Sequence, residues 1–159
     1  MIQHMNLVRR ETAVGDSKRI RRGLLAAIGA LESALARATH TRQKQWRDDV
    51  IDAVNQLRET LRQHAVELHG DGGLMAEIVL ETPRLRARVE RLRRQHDRLI
   101  YELDAVKMEL STEQRAQMTP NIREIRQRVE RLVARLRDFQ FMETDLIYEA
   151  VQVDIGVGD

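Results

Sequence analysis

Cysteine is absent from the 159 residues. Disulfide frameworks, thiolate nucleophiles and Cys-ligated zinc or iron–sulfur centres are therefore excluded. Proline occurs only twice and aromatic residues make up 3% of the chain, so little breaks a helix and the core has to come from Leu, Ile, Val, Ala and Met. Long apolar runs are missing too. The longest in the body, GLLAAIGAL (23–31), falls far short of the roughly 20 residues a transmembrane helix needs, and the opening MIQHMNLVRRE lacks the apolar centre of a signal peptide. A cytoplasmic protein with no membrane partner is expected. There is no HExxH, no nucleophile paired with a base, and no Gly-rich phosphate loop, since HGDGG (69–73) has neither the strand-and-helix setting nor the Lys such a loop needs. The chain is not expected to be an enzyme, and no catalytic residue is assigned.

What is present reads as helix. A chain of 159 residues with 42% hydrophobic side chains fits one domain with a single core, and 33% charged residues rich in Glu and Arg point to long amphipathic helices. After an irregular arm (1–15), Gly15-Asp16-Ser17 reads as a helix start, with Asp16 or Ser17 as the cap. Ile20, Leu24, Ala27, Ile28, Leu31 and Leu35 then recur at three- and four-residue steps, and Gly23, Ala26, Gly29 and Ala30 would let a neighbouring backbone come close. The stripe breaks around THTRQ (39–43). A second runs through Trp46, Val50, Val54, Leu57, Leu61, His64 and Leu68 and ends at Gly70, read as a left-handed cap. LMAEIVLET (74–82) reads as a short helix or turn, with Pro83 opening the next helix. That helix carries Leu85, Val89, Leu92, His96, Leu99, Leu103, Val106 and Leu110. STEQRAQMTPN (111–121) reads as a polar connection, and the last helix carries Ile122, Ile125, Val129, Leu132, Leu136, Phe139, Glu143, Leu146 and Ala150 before a glycine-containing tail (156–159). Four such stripes bury one another in an all-α, up-down-up-down antiparallel four-helix bundle spanning 16–155. A long coiled coil is the competing architecture.

Three polar side chains interrupt these stripes: His64, His96 and Glu143. In an antiparallel bundle they fall at one end, where inward imidazoles and carboxylates are the usual means of building a metal site. Taken singly, each is as well read as a core residue with a local hydrogen-bond partner. His4 and His40 read as surface residues, and His69 as a surface residue or helix-end cation.

The four segments together resemble the hemerythrin-like, HHE cation-binding family of four-helix bundles that hold a non-haem di-iron centre. DSKRIRRGLLAAIGALESAL resembles the opening helix, LRQHAVEL the HxxxE segment, RVERLRRQHDRLIYEL the segment with a ligand histidine, and RLRDFQFMETDLIYEA the terminal segment. The resemblance covers about residues 14–155 and places His64, His96 and Glu143 on ligand positions, with Glu67 beside another. It also places Ser17, Leu68 and Phe139 where ligands are expected. A metal site made of His64, Glu67, His96 and Glu143 is thus either vestigial or limited to one iron or zinc ion, and no cofactor is the favoured expectation. A small binding or sensor domain follows, with a non-haem iron redox or oxygen-binding protein as an alternative.

Residues 84–98 hold seven arginines against Glu90 and Asp97, and Arg123, Arg126, Arg128, Arg131, Arg135 and Arg137 follow in the last helix. Such faces can hold an acidic partner or nucleic acid. Against that, the whole chain is only +2, acids are interleaved at helical spacing, and no aromatics accompany the arginines for base stacking. Nucleic acid is not the favoured partner, and a homodimer stays open.

Overall fold

The computed structural model describes residues 2–37 and 42–156. His40 and the tail beyond Gly156 lie outside the described residues, as does the side chain of His4. The described chain is helical throughout, with no strand: α1 Ile2–Ala36, α2 Gln43–His69, α3 Leu74–Glu81, a 3-10 turn Pro83–Leu85, α4 Arg86–Arg115 and α5 Ile122–Gly156. No helix among the described residues is long and apolar enough to cross a membrane. The long helices are neighbours in the order α1, α2, α4, α5, with α1 touching α5.

The apolar stripes meet in one core. Leu24, Ile28, Leu31, Val50, Val54, Leu57, Leu61, Leu103, Val129 and Leu136 are buried completely or nearly so. Polar side chains tie the helices at their flanks. The Arg126 guanidinium donates from Nε to the Leu35 carbonyl (2.7 Å) and from Nη2 to the Arg37 carbonyl (2.9 Å), and it lies over the Trp46 ring at 5.5 Å. Those contacts place a cation on the free carbonyls at the end of α1, where the helix dipole favours one.

Several local expectations are corrected. The helix α1 begins at Ile2, so residues 2–14 are not an irregular arm. No Pro or Gly interrupts them, and Gly15 is accommodated within the helix at a cost of roughly 1 kcal/mol relative to Ala. Ser17 caps nothing; its hydroxyl donates back to the Val14 carbonyl at 3.1 Å. Gly23, Ala26 and Ala30 are exposed, and a Cβ added at Gly23 or Gly29 would meet nothing within 4 Å. No backbone approaches there. The left-handed position of the α2–α3 turn is Gly72 (φ +72°), whereas Gly70 is extended with φ −72° and ψ 172°. Gly70 is needed for space, because a Cβ there would stand 2.4 Å from the Val66 carbonyl oxygen. The polar segment after Leu110 stays helical as far as Arg115, with Thr112 satisfying its hydroxyl on the Met108 carbonyl at 2.8 Å.

Candidate functional site

Three helices bring their polar stripe residues to one place in the interior. His64 and His96 are each 1% exposed and Glu143 is 5% exposed. The stripe spacing explains the convergence: His64 follows Leu57 and Leu61 on α2, His96 follows Val89 and Leu92 on α4, and Glu143 follows Leu136 and Phe139 on α5. Each therefore faces the core that its apolar neighbours build.

Glu143 is the hub. His64 Nε2 lies 2.6 Å from its Oε1, and His69 Nε2 lies 3.4 Å from its Oε2. Burial alone would push the Glu143 carboxyl up, but the two imidazole hydrogen bonds and the charge of those rings outweigh it and hold the group below the ordinary carboxylate value. An ionised carboxylate only accepts, so both Nε2 atoms donate to it. The Nδ1 atoms of His64 and His69 are then left buried without a protein partner.

His96 stands apart from the carboxylate. Its Nε2 donates to the Leu61 carbonyl at 2.8 Å, while its ring stacks parallel to His64 with centroids 6.3 Å apart and lies 5.9 Å from that of His69. Burial, opposed in part by the Leu61 bond, lowers its pKa and keeps it neutral. Phe139 closes the cluster, meeting His64 and His96 edge-on at 6.4 and 5.7 Å.

Of the residues singled out by sequence, His64, His96, Glu143 and Phe139 come together, and Glu67 does not. Glu67 is exposed, and the side chain that joins the cluster in its place is His69, 6% exposed and bonded to Glu143. Ser17 and Leu68 are buried, the one bonded within α1 and the other apolar. Periodicity had no means of finding His69, which is off the Leu61–His64–Leu68 stripe.

No family model, no curated protein and no solved structure matches the chain. A metal pair of the kind the hemerythrin resemblance implies does not fit this arrangement. The Nε2 atoms of His64 and His69 are directed at Glu143 and that of His96 at a backbone carbonyl, and the Phe139 ring packs edge-on against His64 and His96. Among the described residues no group of three or more His, Asp or Glu side chains is placed to hold an ion. Chemically, the cluster can retain a buried negative charge and hold or exchange protons between two imidazoles and one carboxylate.

Proposed function

We propose that this chain is a hemerythrin-like, up-down-up-down antiparallel four-helix bundle working as a small binding or sensor domain, with one weakly held iron or zinc ion or none. The observation that carries this reading is the Glu143 carboxylate taken up by His64 and His69 inside the bundle. Donors that would otherwise face an ion are bonded to one another. The ring of neighbours α1, α2, α4 and α5 supports the bundle topology, and the packing of Phe139 on both stacked imidazoles supports a site without room for two bridged ions. Oxygen or redox chemistry is correspondingly the weaker alternative.

Elemental analysis of protein purified without a metal-affinity tag tests it. The expected outcome is far less than a metal pair per chain, with uptake raised by Phe139→His combined with Leu68→Glu, since that pair restores an imidazole, a carboxylate and space together. A stoichiometric metal pair in the unaltered protein, lost in His64→Ala, would overturn the reading.

A further inference from the structure

The outward side of α4 and α5 carries most of the chain's few aromatics. Three of the five aromatic side chains, Tyr101 on α4 and Phe141 and Tyr148 on α5, are more than half exposed there. Between the two helices runs a groove of about 560 Å³, with the buried Leu99 and Phe139 as its floor and the exposed Phe141 and Met142 among its walls. A hollow of about 110 Å³ continues it and shares Phe141 and Met142 with it. An apolar strip left in water on a charged surface is the usual mark of a contact site. The charges beside the strip are ordered. On α4, Arg91 and Arg98 stand seven residues apart, on α5 Asp138 and Asp145 stand seven apart as well, and all four are exposed. Arg98 and Asp138 line the groove at one level, and Arg91 and Asp145 line the hollow at the next. Seven residues rise about 10.5 Å on either helix, so the arginine column and the aspartate column have the same spacing. The two columns do not neutralise each other within the chain. Among the described residues Arg91 and Asp138 make no salt bridge, Arg98 meets Glu102 of its own helix at 3.5 Å, and Asp145 meets Arg88 at 3.6 Å.

We propose that this face is the interface of a two-fold homodimer, in which the α4–α5 surface of each chain is covered by the same surface of a second copy. The charge pattern selects that occupant. A two-fold axis parallel to the helices, in the plane of contact, lays α4 of one chain along α5 of the other at the same level. Arg98 then meets Asp138 of the second copy and Arg91 meets Asp145 of the second copy, and symmetry repeats both pairs. An axis perpendicular to the helices would instead set α4 on α4, arginine column on arginine column, so like charges exclude that arrangement. A polyanion or a polycation would match one column and oppose the other. Two helices about 10 Å wide over about 30 Å of length offer about 600 Å² per chain, at the lower end of stable interfaces, and Phe141 and Met142 lose their water at its centre. Association in the micromolar range follows. The proposal goes beyond the binding or sensor reading and does not depend on metal content. Phe139 in the groove floor also packs on His64 and His96, so each histidine cluster stands one side chain behind the contact.

Sedimentation velocity of the full chain at about 100 µM, well above a micromolar dissociation constant, is expected to give twice the 18.5 kDa of one chain. Two charge-reversed chains then test the surface, Arg91→Asp with Arg98→Asp in one and Asp138→Arg with Asp145→Arg in the other. All four positions are exposed, so the helix content seen by circular dichroism should stay unchanged. Each reversed chain alone brings like charges together at every pair of the contact and should self-associate at least about a hundredfold more weakly. Mixed in equal amounts, the two should pair with each other about as tightly as the unaltered chain pairs with itself, because each reversed column then faces its opposite. Phe141→Gln, which alters no charge, should weaken association about tenfold. A monomer at about 100 µM, a dimer that both reversed chains retain, a mixture that stays monomeric, or unchanged association in Phe141→Gln would overturn the proposal. Metal content is a separate readout, so a monomeric chain leaves the elemental analysis intact and the converse also holds.

Discussion

Glu143 keeps its charge inside the protein only because two imidazoles meet it, which makes the residues of this cluster unequal. His64→Leu removes the 2.6 Å donor and leaves a buried carboxylate with the longer bond from His69 alone, so a loss of about 3 kcal/mol is expected. His96→Leu removes one bond to a carbonyl and sets an apolar side chain on an apolar stripe, so less than about 1.5 kcal/mol is expected at pH 7.5. Urea denaturation of the two variants checks the order. The pH dependence follows from the lowered pKa of His96, driven by burial. An imidazole whose folded pKa lies below its unfolded value of about 6.5 binds more protons when unfolded, so its contribution is present above that value and is lost as pH falls towards the folded pKa. Glu143, also lowered, acts in the same direction further into acid. Its contribution is present above the ordinary carboxylate value and is lost as pH falls through the folded one. Comparing stability at pH 7.5 and 5.5, the loss on acidification is expected to be smaller in His96→Leu than in the unaltered protein. An equal loss would show that His96 does not titrate between the two states.

The turn from α4 to α5 carries the expectation that belongs to whole elements. Met118 N–H bonds the Glu113 carbonyl at 3.0 Å and Gln117 N–H bonds the Gln114 carbonyl at 3.1 Å, the paired arrangement of a Schellman cap. Its left-handed position is Gln117 (φ +53°), where glycine carries no Cβ penalty. Gln117→Gly is therefore expected to raise stability by about 0.5–1 kcal/mol, read from the urea midpoint with an unchanged slope. The same turn is held by the buried Arg47, whose Nη1 donates to the Met118 carbonyl at 2.6 Å. Neither feature is legible in a periodic pattern, because both depend on where a connecting backbone passes. The stripes themselves were legible: Leu24, Leu61, Leu99 and Leu136 fall in the core because burial and the helical repeat agree at those positions. So was the meeting of His64, His96 and Glu143, since a polar residue on a stripe faces inward with it. The start of α1 at Ile2 differs from the expected one because a Gly-Asp-Ser sequence has the chemistry of a cap whether or not a helix already precedes it. Glu67 is expected in the cluster only through the family resemblance, which sets it beside a carboxylate position at Leu68, and that resemblance carries no information on which side chain of α2 reaches Glu143.

Among the described residues, several arginines meet carboxylates on another helix. Arg58 and Arg62 share Asp104, Arg84 and Arg88 share Glu149, Arg128 meets Glu109, Arg135 meets Glu102 and Arg137 meets Glu32. Each such pair near the surface contributes only about 0–1 kcal/mol to stability, but together they change what the arginine faces can do. An arginine that already faces a carboxylate neutralises less of a phosphate's charge, and affinity for a polyanion rises with the number of counterions released. The chain as a whole carries only +2, so attraction from a distance is small and is screened within about 8 Å at physiological ionic strength. Binding to duplex and single-stranded oligonucleotides is accordingly expected to be weak at low salt and lost near 0.15 M, roughly the physiological value, when followed by fluorescence anisotropy at both salt concentrations. Tight, sequence-dependent binding that survived the higher salt would mean that a defined surface reads bases through contacts other than these paired arginines, and would move the function of the bundle from its interior to its faces.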